Sequence, residues 1–196
     1  MLDEADCVEA DLYYEATHNL HQIEPKASSA YLMGQLEAED EEYTEAVDYY
    51  EEAVELYDEE EDIDELYRTY MLKANIQFRE LQRYSQARNS ALEAAEIKPD
   101  DGRPYILIGE MYAETAEECG DCDLTERVAY WAAVDKFQKA KDVETDEDIK
   151  ERAEELISAY SRYFPDRETI FFHGYDIGES YRVQCWINET TTVRAR

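Results

Sequence analysis

The sequence predicts an all-α protein: a solenoid of helical hairpins, finished by a capping helix and a small β-hairpin tail. Three observations predict it. The stretch "EYTEAVDYYEEAVEL" from Glu42 returns in altered form as "RYSQARNSALEAAEI" from Arg83 and as "AYWAAVDKFQKAKDV" from Ala129. Six Gly and four Pro in 196 residues leave little turn material for an all-β fold. Hydrophobic residues make up 44% of the chain, and the 17 tyrosines suit helices that are packed on one side and wet on the other.

The first element, residues 1–25, carries "EADLYYEATHNLHQIEP" and reads as the second helix of a preceding repeat. It opens in mid-helix, so the natural chain is expected to start further upstream. His18, His21 and Glu24 recur here at steps of three. That spacing can gather metal ligands, but surface helices carry it by chance, and no metal is assigned to it.

Three hairpins follow, at residues 26–66 with an acidic linker, 67–101, and 102–143 with an inserted "CGDC" loop. Aligned by alanine, their second helices place Ala46, Ala87 and Ala133 at one position. Tyr50, Ala91 and Phe137 come four residues later, and Ala53, Ala94 and Ala140 three beyond those. Steps of four and three lie on one helical stripe, where small residues admit a neighbouring helix and a large one fills the gap between. On the first helices, Gly34 and Asn75 stand twelve residues before Ala46 and Ala87, and Gly109 stands 24 before Ala133. Tyr112 follows Gly109 by three, as Phe78 follows Asn75, and Pro99 closes the second unit. This pattern is similar to the tetratricopeptide repeat (TPR), whose hairpins stack into a right-handed superhelix because one hairpin alone cannot bury its apolar face. The period departs from 34 residues: Ala46 to Ala87 spans 41, and Ala87 to Ala133 spans 46. The second excess falls around "EECGDCDLTERVAYW", where Asp123 and Glu126 have capping-box spacing for a long helix with Tyr130 and Trp131 in its core.

Residues 144–164 form the capping helix, with Ile149, Ala153, Leu156 and Tyr160 on one face. Residues 165–196 change period. Tyr181, Val183, Cys185 and Ile187 alternate with polar neighbours, Asn188-Glu189 can turn the chain, and 190–193 is β-branched, which together read as a hairpin. An isolated hairpin is marginal in water, so it must pack on the helices; Phe171 and Phe172 are the expected anchors.

The stretches "ALEAAEIKPDDGRPYILIGEMYAE", "YWAAVDKFQKAK" and "YFPDRETIFFHGYDIGESYRVQCWINETTTVRAR" resemble the C-terminal half of Gram-negative cell-envelope TPR proteins with a CWIxETTTVR tail. The likeness spans residues 68–196 and is most specific in the tail. It departs at Asn188, where those proteins usually carry Gly, and at the second cysteine of "CGDC". The resemblance implies a longer precursor with a signal peptide, a periplasmic or outer-membrane-associated location, and binding to other envelope proteins in a larger complex. A cytoplasmic location remains the alternative.

Composition narrows the partners. Fifty acidic against 19 basic side chains give a net charge of −31, and no basic residue lies between Lys26 and Arg68. Such a surface repels nucleic acid, and no apolar run is long enough to span a membrane. The acidic run at 58–64 lacks the spacing and turn glycine of a calcium loop and reads as a solvated face. Arg outnumbers Lys twelve to seven, which together with the acidity also fits a high-salt habitat.

Four cysteines are present: Cys7, Cys119, Cys122 and Cys185. The acidic neighbours Glu117, Glu118, Asp121 and Asp123 are expected to raise the thiol pKa, which argues against a catalytic thiol. A disulfide among Cys119, Cys122 and Cys185 suits an oxidising compartment; Cys119–Cys122 would pinch the insertion, whereas either with Cys185 would staple the tail. A zinc or redox site at "CGDC" is the alternative, and it would need His173 or Cys185 as a further ligand. No phosphate-loop, Rossmann or nucleophile-elbow pattern occurs, so neither an enzyme nor a cofactor is expected.

The remaining candidate site is the groove lined by first helices: Tyr31 and Gln35; Thr69, Leu72, Ile76 and Arg79; Arg103, Ile106 and Glu110. A protein or peptide segment is the expected occupant, lying on Leu72, Ile76 and Ile106 with Arg79 or Arg103 toward an acidic group. Lys73 and Arg103 are present, but the paired asparagines of a chaperone-tail clamp are not, which argues against that ligand. The alternative use of these residues is self-association.

Overall fold

The computed structural model describes residues 4–58 and 62–196, with side chains from Leu12 onward in those ranges. The acidic run is therefore only partly described, and the Cys7 side chain lies outside. Among the described residues the protein is all-α apart from one two-stranded sheet. The chain divides into two compact units, Met1–Arg83 and Tyr84–Arg196.

The first unit holds α1 (Glu4–Ile23), α2 (Ala27–Glu39), α3 (Tyr43–Leu56) and α4 (Ile63–Arg79). The α2/α3 hairpin shows how the repeat closes. Ala30, Met33 and Gly34 of α2 are buried with Ala46, Val47, Tyr50 and Ala53 of α3. A methyl group on Gly34 would sit 2.8 Å from Cδ1 and Cε1 of Tyr50, so the missing Cβ is the space the tyrosine ring fills. The small–large interlock expected from spacing is present. The turn after α2 puts Glu41 at φ 63°, and the turn after α4 puts Gln82 at φ 52°. Each stands five residues before an aligned alanine, Ala46 or Ala87, so the repeat is written in the backbone as well as in the side chains. Both residues adopt the left-handed region that normally favours glycine, at a cost of about 1–2 kcal/mol each.

Several polar groups in this unit are paired across helices. The Tyr14 hydroxyl donates to Glu37 Oε1 at 2.8 Å. His21 is 4% exposed and uses both ring nitrogens, Nδ1 at 2.9 Å from Ser29 Oγ and Nε2 at 3.2 Å from Glu52 Oε2. His18 instead stacks on Tyr14. His21 thus tethers helices, and the His18–His21–Glu24 spacing gathers no ligand set.

The second unit comprises α5 (Tyr84–Ile97), α6 (Arg103–Glu114), a 3-10 turn (Glu117–Cys119), α7 (Thr125–Val143), α8 (Glu147–Ser161), α9 (Arg167–Phe172), β1 (Ser180–Arg182) and β2 (Thr190–Thr192). The interlock of α6 with α7 is tighter than that of the first unit. A methyl on Gly109 would stand 2.4 Å from Phe137 Cε1, and Phe137 is fully buried, as are Ala133 and Ala140. Glu144, itself buried, accepts from the backbone N–H groups of Gly102, Thr145 and Asp146 and so ties the start of α6 to the end of α7. The expected capping helix is α8: Ala153 and Leu156 are buried, and Asp146 caps its N-terminus through Asp148 N and Ile149 N.

Two expectations are corrected here. Asp123 and Glu126 do not form a capping box; Leu124 is the cap residue and makes no side-chain cap bond. The Thr125 hydroxyl instead accepts from Asp121 N and Cys122 N, organising the loop just before α7. The second correction concerns the tail. Phe171 and Phe172 are 79% and 84% exposed and anchor nothing; the buried side chains of the tail include Ile170, Tyr181, Val183, Ile187 and Val193. The strands are three residues each, paired Tyr181↔Thr191, and the connection between them is a seven-residue loop with Cys185 and Asn188 at positive φ.

Candidate functional site

The tail docks through the residues that make it distinctive. Trp186 stacks on Tyr84 and meets Tyr112 edge-on, with ring centroids 5.4 and 5.3 Å away, and its Nε1 donates to Thr115 Oγ1 at 3.1 Å. Arg88 of α5 donates to the Ile187 carbonyl at 2.6 Å. Glu189 accepts from the Tyr112 hydroxyl at 2.6 Å and pairs with Lys136 Nζ at 2.8 Å. Burial first, and that bond to Glu189 second, push the Tyr112 pKa well above the usual phenol value. Further along, Trp131 Nε1 donates to the Arg194 carbonyl at 2.8 Å, Arg194 Nη2 returns to the Trp131 carbonyl at 2.6 Å, and Asp135 holds both Arg194 and the Thr191 hydroxyl. The most specific motif of the sequence is therefore a structural clamp on α5, α6 and α7.

The clamp is also covalent. Cys119, at the end of the 3-10 turn, is bonded to Cys185 in the tail loop, with Cα atoms 5.3 Å apart and a sequence separation of 66. Of the two pairings that would staple the tail to the inserted loop, this is the one formed. A cavity of about 320 Å³ lies beside it, lined in part by Glu118, Cys119, Asp121, Tyr181 and Gln184.

Cys122 is the one free thiol among the described side chains. Contrary to the expectation from its acidic neighbours, its pKa is lowered. The bond from the Thr125 hydroxyl is the largest cause, followed by the backbone N–H groups of Thr125 and Leu124; burial and Asp121 oppose them more weakly. The Cys122 thiol, a carboxylate oxygen of Asp123 and a ring nitrogen of His173 all lie within 4.8 Å of one another. Of these three, Cys122 and His173 are candidates from the sequence alone; Asp123 is not, because its place before a helix suggests a cap.

The expected groove residues divide between the units. Tyr31, Gln35, Leu72 and Ile76 in the first are half-buried, and Tyr31 packs near Tyr50 at 5.9 Å between ring centroids. Thr69 is fully buried, its hydroxyl turned back to the Glu65 carbonyl at 2.8 Å, so it presents nothing to a partner. That correction arises because a helical threonine satisfies its own backbone when no solvent reaches it. Arg79 is exposed and lies over the Phe78 ring at 4.4 Å. In the second unit Ile106 and Glu110 are half-buried, Glu110 lies 3.8 Å from Arg152, and Arg103 grips Asp101 through Nε and Nη2. Lys73 is likewise engaged, with Glu51.

These features define a TPR-like protein of helical hairpins, closed by a covalently fastened tail. No protein-family model matches the chain, and no curated protein matches it. Among solved structures, the crystal structure of MamA is similar at 12% identity and a TM-score of 0.48, over 82% of this chain and 91% of that chain. At that level the likeness adds nothing to what the helix packing itself shows.

Proposed function

We propose that this protein is a non-catalytic scaffold that binds a segment of another protein in a bacterial envelope assembly. The observation that carries the reading is the state of the first helices. On α4, Leu66, Ala74 and Phe78 are in the core while Leu72 and Ile76 keep part of their surface in water, and Ile106 on α6 does the same. In each unit by itself, half-covered aliphatic side chains on the first helices offer apolar surface to a partner, in a molecule of net charge −31. Arg79 adds a cation beside that surface in the first unit. The Cys119–Cys185 bond supports an oxidising, extracytoplasmic compartment. Among the described residues no helix is long and apolar enough to cross a membrane.

The test is crosslinking capture from native membranes with the wild-type chain, Leu72→Asp and Ile106→Asp. A partner retained by the wild type and lost with either folded variant supports the reading. Equal recovery of every captured protein by all three chains overturns it.

A further inference from the structure

We propose that Cys122, Asp123 and His173 form a binding site for zinc or a similar borderline-soft divalent metal. The three donors come from two segments fifty residues apart, the loop before α7 and the C-cap of α9. One pair is already in direct contact: His173 Nε2 is 3.0 Å from Asp123 Oδ1, a hydrogen bond that a shared metal would replace by opening it a few tenths of an ångström. All three atoms lie within 4.8 Å of one another. Donors around a tetrahedral zinc are separated by roughly 3.3–3.8 Å, so a closure of at most about 1.5 Å completes the set. Both donor segments are held from behind. Cys122 N donates to Thr125 Oγ1 at 3.1 Å, which fixes the loop, and His173 N donates to the Thr169 carbonyl at 3.2 Å while its ring meets the edge of Phe172.

The chemistry selects the metal. A thiolate, an imidazole and a carboxylate make a mixed S, N, O set that favours zinc over magnesium or calcium, which require oxygen alone. The disulfide decides the kind of site. With Cys119 bonded to Cys185, the insertion keeps one thiol, so a closed four-cysteine knuckle is ruled out. Three protein ligands remain, with the fourth position open to water or to a donor from a partner. The aspartate side chain is 69% exposed and the histidine 26%, so the metal has an entry path from solvent.

The experiment titrates the oxidised chain, disulfide intact and reductant absent, with cobalt(II) as the spectroscopic probe and then with zinc(II). Excess magnesium and about 0.15 M salt suppress diffuse binding to the acidic surface. The expected result is one equivalent of cobalt with a thiolate-to-metal charge-transfer band, displaced by one equivalent of zinc. Cys122→Ser abolishes the band, and Cys7→Ser keeps it. His173→Gln and Asp123→Asn, both at exposed or half-exposed positions that leave the fold intact by circular dichroism, weaken zinc at least tenfold. A band that survives Cys122→Ser overturns the assignment, as does zinc affinity unchanged in His173→Gln or the absence of stoichiometric binding.

Discussion

Replacing Gly109 with alanine tests the packing rule on which the whole fold rests. The added methyl would stand 2.4, 2.7 and 2.8 Å from Cε1, Cδ1 and Cζ of Phe137. Carbon atoms in good contact are about 3.5–4.0 Å apart, so the helices or the ring must give by about 1 Å. The ring has nowhere to go: Phe137 is fully buried and stacked on Tyr160 at 5.4 Å. Overpacking of this kind costs about 1–3 kcal/mol. Against it, alanine is favoured over glycine inside a helix by about 1 kcal/mol. The net expectation is a loss of up to roughly 2 kcal/mol, because the clash exceeds what side-chain adjustment absorbs. Both tryptophans, Trp131 and Trp186, lie in the second unit with Gly109, so urea unfolding followed by tryptophan fluorescence reads the affected unit directly. Phe137→Leu supplies the other corner of a double-mutant cycle, since trimming the ring makes room for the methyl. A coupling of about 1 kcal/mol or more in favour of the double variant is expected. A Gly109→Ala chain at least as stable as wild type, or single effects that add within about 0.5 kcal/mol, would refute the interlock.

Further outcomes follow from the tail and the buried phenols. Serine at both Cys119 and Cys185 releases a closed loop of 66-residue separation, worth about 4 kcal/mol by chain entropy, and should lower the second unit's urea midpoint; an unchanged midpoint refutes the staple. Ile187→Ala, at a fully buried position, should cost about 2–4 kcal/mol in the same assay, whereas serine at Phe171 or Phe172 should stay within about 0.5 kcal/mol. The reverse order would restore the phenylalanines as anchors. Burial holds Tyr50 and Tyr112 protonated in the folded state, and the bond to Glu37 raises Tyr14 to about 12. An unfolded phenol ionises near 10, so the folded chain binds more protons above that pH. Stability from these groups is complete below about pH 10 and falls as pH rises, Tyr14's share being lost by about pH 12. Ultraviolet titration alongside circular dichroism checks this; phenolate forming fully near pH 10 with the helices intact would contradict it.

Local spacing explains how much was legible beforehand. Gly34, Ala46, Gly109 and Ala133 declared themselves because a helix repeats its faces every three to four residues, so the sequence alone shows which side must be small. The capping helix was legible for the same reason, from Ala153 and Leu156 on one stripe. The β tail was half legible. Alternation marked Tyr181 and Val183 as inward, but it could not show that Cys185 would leave the strand at φ 60° to reach Cys119. Phe171 and Phe172 misled because hydrophobicity states a preference for burial and not its opportunity: on a six-residue helix only Ile170 reaches the core.

The sequence by itself determined the helical hairpins, their small–large contacts, the cap and the presence of a hairpin tail, since each depends on residues within a few turns of one another. Only the tertiary structure decided which cysteine is oxidised, that the tail motif is a clamp, that Thr69 is sealed in, and that Asp123 and Cys122 meet His173. Those outcomes depend on groups fifty or more residues apart arriving within a few ångströms, or on which side of a helix its neighbours cover. Cys119 and Cys122 sit three positions apart with the same neighbours in sequence, and only the docked position of residues 183–189 distinguishes them.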